Sequence, residues 1–259
     1  MKRILTTLLP VVIAVNLSAC VSQTTIESKT PDAATKSDGS HRAEIHTERA
    51  GEYFRLGNMQ AALDAAKQAL SNDAGYAPVH SMLGLIYMEL GVNDKAAQAF
   101  EQALRLAPGD SDILNNYGWF ICQRLDAVRA MSYFRDALKN PLYQTPERAL
   151  LNAGICARKG GDLAAAEANL NAALQRQPAL AQANLQLADL RFEATQYKEA
   201  ERLLSRYMAL VQNPPADALY LGVKISRANS DRTSEVSYIQ QLRRRFPDAT
   251  QTRAATDSR

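Results

Sequence analysis

Few residues in this chain could do chemistry, and they are scattered. The three histidines, His41, His46 and His80, are the natural metal ligands or proton carriers. His46 and His80 stand 34 residues apart, with no cysteine or carboxylate cluster joining them, so no metal site is expected. The carboxylates recur at helical surface spacing, the pattern of solvated faces and not of a paired acid and base. Lys159-Gly160-Gly161-Asp162 lacks the spacing of a phosphate-cradling loop and reads as a turn between helices. No catalytic residue, cofactor or small-molecule substrate is expected, and the chain does not read as an enzyme. Lys and Arg number 30 against 27 Asp and Glu, a balance that does not point to nucleic acid.

The three cysteines carry more information, and their chemistry depends on compartment. Residues 1–19 have the parts of an export signal: Lys2 and Arg3, an apolar run from Ile4 to Val15, then Leu17-Ser18-Ala19 before Cys20. The run is too short for a comfortable transmembrane helix. Small residues before a cysteine are the pattern of a bacterial lipoprotein signal, so Cys20 is expected to be acylated and to become the first residue. Two acyl chains suffice for a firm anchor, since each buried CH₂ contributes about 0.8 kcal/mol. Val21 and Ser22 follow Cys20. An Asp there would resemble the inner-membrane retention signal, so the expected location is the outer membrane, with the folded part in the periplasm. Cleavage would remove two cations and no acid, taking the net charge from +3 to +1. Residues 20–42, rich in Ser, Thr, Lys and Asp, read as the lipidated cysteine and a flexible tether of about 25 Å r.m.s. span.

Cys122 and Cys156 remain. In an oxidising compartment two exported thiols tend to join when their Cα atoms come within about 7 Å. A Cys122–Cys156 bridge is therefore expected, with two separate core thiols as the alternative.

The elements that would position these residues are helical. The composition is rich in Ala and Leu and poor in β-branched runs. From Ala43 the chain repeats itself every 34 residues. The copy starting at Ala77 is the clearest: Leu83, Gly84, Tyr87, Ala96, Phe100, Ala103 and Pro108 fall at positions 7, 8, 11, 20, 24, 27 and 32. These are the signature positions of the tetratricopeptide repeat, which the chain resembles. Small residues at 8, 20 and 27 let two antiparallel helices approach, and larger ones at 7, 11 and 24 fill the gaps. Six copies can be laid out over 43–248: 43–76, 77–110, 111–146, 147–180, 181–214 and 215–248. The third runs two residues longer, in the loop Asn140 to Pro146. The resemblance implies an all-α, right-handed superhelix of six repeats and twelve helices, with 249–259 as a fraying polar tail.

In such a superhelix the first helix of each pair lines the concave face. Position 9 gives Leu85, Trp119, Ile155 and Val223; position 5 gives Asn115, Leu151, Leu185 and Leu219; position 12 gives Met88 and Phe192. The result is an apolar stripe from repeat two to repeat six, with Asn115, Arg158 and Asp189 as polar breaks. Apolar area rimmed by polar groups marks a protein-binding groove. The alternative is that these side chains are consumed in packing each repeat on the next.

The whole pattern resembles the tetratricopeptide-repeat lipoproteins of type IV pilus biogenesis, the PilW/PilF kind. Leu114-Asn115-Asn116-Tyr117-Gly118, the loop Leu142-Tyr143 to Pro146-Glu147, Leu187-Ala188-Asp189-Leu190 and Gln241-Leu242-Arg243 to Phe246-Pro247 carry that resemblance. It implies a pilotin-type scaffold that helps a secretin subunit reach the outer membrane and multimerise. A second reading is a periplasmic adaptor for outer-membrane β-barrel assembly or for peptidoglycan enzymes.

Overall fold

The computed structural model describes residues 38–257, which form thirteen α-helices. The first twelve pair as hairpins: α1 (Asp38–Arg55) with α2 (Met59–Asn72), α3 (Ala77–Glu89) with α4 (Asn93–Leu106), and α5 (Ser111–Arg124) with α6 (Ala127–Ala137). They continue with α7 (Pro146–Lys159) and α8 (Leu163–Arg176), α9 (Ala181–Glu193) and α10 (Tyr197–Leu210), and α11 (Ala216–Ala228) and α12 (Arg232–Arg245). The last, α13 (Thr250–Asp257), stands alone. First helices touch first helices along the whole stack, whereas no second helix approaches another. The first helices thus form an inner row and the second helices a splayed outer one, which is how a stack of hairpins curves.

Local chemistry starts and stops these helices. The carboxylates of Asp110, Asp126, Asp162 and Asp231 accept hydrogen bonds from amides of the first turn that follows each, and Pro78 and Pro146 occupy first turns where no amide is needed. In every pair but the third, the turn inside the pair has one residue at positive φ. Gly57, Gly91 and Gly161 supply it, whereas Thr195 and Ser230 adopt it at a steric penalty in the last two repeats. Close approach accounts for Gly84 and Gly154: a Cβ would lie 2.7 Å from the Phe100 ring at the first and 2.6 Å from Leu170 at the second.

Three expectations change. The helical region begins at Asp38, so Asp38–Arg42 belong to α1 and not to a tether. The helices number thirteen among the described residues, not twelve. The polar tail does not fray: residues 250–257 form α13, which packs on α11 and α12. Thr252 and Ala255, three residues apart, are its buried face, and the Thr252 hydroxyl donates to the Phe246 carbonyl at 2.6 Å. A face of one Thr and one Ala gives little apolar period, which is why the sequence reads as tail. The export signal, Cys20 and residues 21–37 lie outside the described residues.

The two extra residues of the third repeat have a visible use. α6 has eleven residues where the other second helices have fourteen, and the loop after it folds back over α5. Tyr143 is buried among Leu114, Ala137 and Ala149. Its hydroxyl donates to Asp112 Oδ1 at 3.3 Å, and Asn140 Nδ2 donates to Ser111 Oγ at 3.2 Å. Burial pushes the Tyr143 phenol up to about 12.

Candidate protein-binding groove

The inner row divides into a front part, α3 to α7, and a rear part, α7 to α13. In the front part the joints between repeats are made of three things. A disulfide joins Cys122 of α5 to Cys156 of α7, with Cα atoms 5.9 Å apart. A line of carboxamides runs beside it: Asn152 Nδ2 donates to Asn115 Oδ1 (3.0 Å), Asn115 Nδ2 to Asn116 Oδ1 (3.4 Å), and Asn116 Nδ2 to Ser81 Oγ (3.2 Å). Cations close the far ends of the helices, where backbone carbonyls lack partners. Arg124 donates to the Met88 carbonyl at 3.1 Å, and Lys159 donates to the carbonyls of Cys122 and Gln123 at 2.9 Å each. Beneath lies an aromatic core in which Phe100 packs against Tyr117 and Phe120.

In the rear part the joints are ionic. Arg158 of α7 donates to Asp189 Oδ2 (2.7 Å) and Glu193 Oε1 (2.5 Å) of α9. Burial alone would lower the Arg158 guanidinium, but the two carboxylates outweigh it and hold it above the ordinary arginine value. Lys224 of α11 stands 3.9 Å from Asp189 and lies over the Phe192 and Tyr220 rings.

The ten side chains expected in the groove fall into two sets. Leu85, Trp119, Leu151, Ile155, Leu185 and Phe192 are half-buried and present apolar surface along the first helices. The other four are not available to a partner. Asn115 is 1% exposed, because position 5 of its helix points into the next repeat and its amide is spent in the carboxamide line. Met88 is buried in the aromatic core. Leu219 and Val223 are wholly buried with Leu242 and Ala255, because α13 occupies the place a seventh first helix would take. The stripe therefore ends before repeat six. Repeat-on-repeat packing, held open as an alternative from sequence, accounts for Asn115 and Met88, and α13 accounts for Leu219 and Val223; the other six keep part of their surface exposed.

Residues 53–116 match the tetratricopeptide-repeat family. A crystal structure of PilW, described as a widely conserved type IV pilus biogenesis factor, is 37% identical, with a TM-score of 0.73 over 82% of this chain and 97% of that one. This chain belongs to the PilW family. The type IV pilus assembly protein PilF of Pseudomonas aeruginosa is 26% identical over 75% of this chain and 77% of its own. An uncharacterised protein of Haemophilus influenzae is 31% identical over 61% of this chain and 83% of its own. As a repeat protein related to PilW, this chain is a non-enzymatic protein-interaction scaffold.

The histidines of this PilW-family chain are not brought together. His41 lies 3.7 Å from Glu44, and His80 Nε2 is 2.9 Å from the Ala74 carbonyl. No helix among the described residues is long and apolar enough to cross a membrane. Two features escaped the sequence reading. The cations at the helix ends are ordinary surface residues in sequence, and only the stacking shows that they reach the preceding repeat. Of the most exposed apolar side chains, Leu56, Leu90, Leu125, Val128 and Leu163 sit at or beside the turns inside repeats one to four, off the concave stripe, and Leu142 sits on the loop after α6. Their signal was present as apolar residues at turn positions.

Proposed function

We propose that this protein is an outer-membrane lipoprotein of type IV pilus biogenesis. Acylated Cys20 anchors it, and the concave stripe holds an apolar segment of a secretin subunit so that the subunit reaches the outer membrane and multimerises. The observation that carries this reading is the run of six half-buried apolar side chains on successive first helices, centred on Trp119 and Leu151. Membership of the PilW family and the export signal with its cysteine support it. The floor beneath Trp119 is rigid, because the disulfide and the carboxamide line fix α5 against α7, and a preorganised groove loses less entropy on binding.

The test is genetic and direct. A deletion strain should lose surface pili and heat-stable secretin multimers, and normal multimers in that strain would overturn the reading. A Trp119→Ala, Leu151→Ala double variant should fold, reach the outer membrane and still fail to restore multimers. Capture of secretin with the lipidated chain, and its loss in the double variant, assigns the groove. A Cys20→Ala variant should leave the membrane fraction.

A further inference from the structure

The last repeat ends on Arg243-Arg244-Arg245, a run that neither the groove nor the packing of the repeats uses. A cation suits a helix C-terminus, yet no other second helix has more than one in its last turn. Arg253 of α13 stands at the same junction, with Asp248 as the one carboxylate between. None of the four guanidinium groups has a hydrogen bond or ion pair with any described residue. Earlier junctions carry at most one cation in excess: Arg176 alone after α8, Arg206 against Asp217 after α10. The accumulated positive charge is particular to this end of the solenoid.

The helix that bears the run is also open on one side. Arg232, Val236, Ile239 and Arg243 recur at helical spacing and line one flank of α12, beside Ala255 and Thr256 of α13. Val236 is 38% exposed, and no further repeat covers it. Glu235, the only carboxylate lining this flank, is shared by Arg227 and Arg232 and so is more than neutralised. An apolar pair bracketed by arginines on one helical flank is the pattern of a helix lying on a membrane surface.

We infer that this end of the molecule rests on an anionic phospholipid leaflet, its arginines on lipid phosphates and Val236 and Ile239 against the headgroup region. Successive residues of a helix stand about 100° apart, so the guanidinium groups of the run leave α12 in different directions. Arg243 borders the flank beside α13, whereas Arg245 lies over the Phe246 ring. A single peptide segment meets one such direction, but a leaflet whose lipids are free to move gathers phosphates around all of them. Each guanidinium near an anionic leaflet strengthens binding about fivefold. Residues 21–37 join Cys20 to Asp38 and reach at most about 60 Å when extended. For that proximity the inference rests on the reading of Cys20 as a lipid anchor. At such range, contacts too weak to recruit a free protein are enough to orient a tethered one.

The experiment uses the chain from Val21 onward, which keeps the whole compact unit Lys36–Arg259 and carries no acyl group. It is sedimented with vesicles of phosphatidylcholine, with and without about one third phosphatidylglycerol. Binding to the anionic vesicles alone is expected, fading in about 1 M salt. The variant Arg243→Gln, Arg244→Gln, Arg245→Gln should bind about tenfold more weakly or worse, with an unchanged circular dichroism spectrum. Val236→Asn should weaken binding severalfold, which a purely electrostatic contact would not show. The control variant Arg105→Gln, Arg135→Gln, Arg176→Gln, on other junctions, should stay close to the parent. No binding, equal binding to neutral vesicles, parental affinity in the run variant or in Val236→Asn, or an equal loss in the control overturns the inference. So does tighter binding of a soluble polyglutamate peptide than of the vesicles, which reassigns the run to an acidic protein segment. Failure here leaves the Cys20 anchor standing, because no acyl chain is present; release of the Cys20→Ala variant from membranes tests that anchor separately.

Discussion

The front and rear parts of this solenoid solve one problem in two ways. Each must hold first helices side by side at a fixed pitch. Between α3 and α7 the ties are a disulfide, a line of carboxamides, cations on helix-end carbonyls and packed aromatic rings, none of them an ion pair. Between α7 and α11 they are a guanidinium, an ammonium and two half-exposed carboxylates. Covalent and buried bonds fix a geometry, whereas half-exposed ion pairs contribute little and are screened. The difference places the rigid segment under Trp119 and the adaptable one beyond Arg158.

The largest effect should come from the bridge. Reducing it, or replacing Cys122 and Cys156 by Ser, should remove about 4 kcal/mol by the chain-entropy account. That is about 10 °C in the melting temperature of a domain this size. An unchanged melting curve would erase the contrast between the two parts. Next is Asn115→Leu, which takes the acceptor from the half-buried Asn152 Nδ2 and the donor from Asn116 Oδ1 and should cost about 2 kcal/mol in urea unfolding. Arg158→Ala should cost about 1 kcal/mol, since its partners stay wet enough to be solvated without it. The parent's own contribution from that cluster should fade in about 1 M salt, where screening acts over about 3 Å. A front variant that is salt-sensitive, or a rear one that is not, would invert the assignment.

The smallest effect is at the C-terminal end and depends on pH. Glu235 is held below the ordinary glutamate range first by its hydrogen bond to Arg227, then by Arg232, and Arg227 also donates to the Ala255 carbonyl of α13. A carboxyl depressed in the folded state stabilises it above the unfolded value of about 4.3, and that contribution is lost as pH falls through the folded value. Protection of the α13 amides, taken relative to their intrinsic exchange rate at each pH, should therefore fall below about pH 4 before that of the front part. Simultaneous exchange across both parts would contradict this.

Much of the solenoid was legible because its signals are local and repeated. Gly84, Ala96, Phe100 and Ala103 need only their own pair to make sense, so a single chain displays the period. The concave stripe was legible in outline and wrong at its ends. Whether Leu219 faces a partner or α13 depends on a helix whose buried face is one Thr and one Ala, too small a signal to see in sequence. Asn115 misled for the opposite reason: a polar residue at a groove position reads as a rim, but its partner Asn152 lies in the next repeat.

The helix at the end of the chain has one more effect. By seating Ala255 against Leu219 and Val223, α13 fills the surface on which another repeat would stack, and it turns Thr250, Arg253 and Asp257 outward. A stack of identical hairpins has no intrinsic length, and two such molecules could join end to end into a filament. Here a polar stopper closes that end. Eight residues, not a further repeat, cover the exposed flank of repeat six.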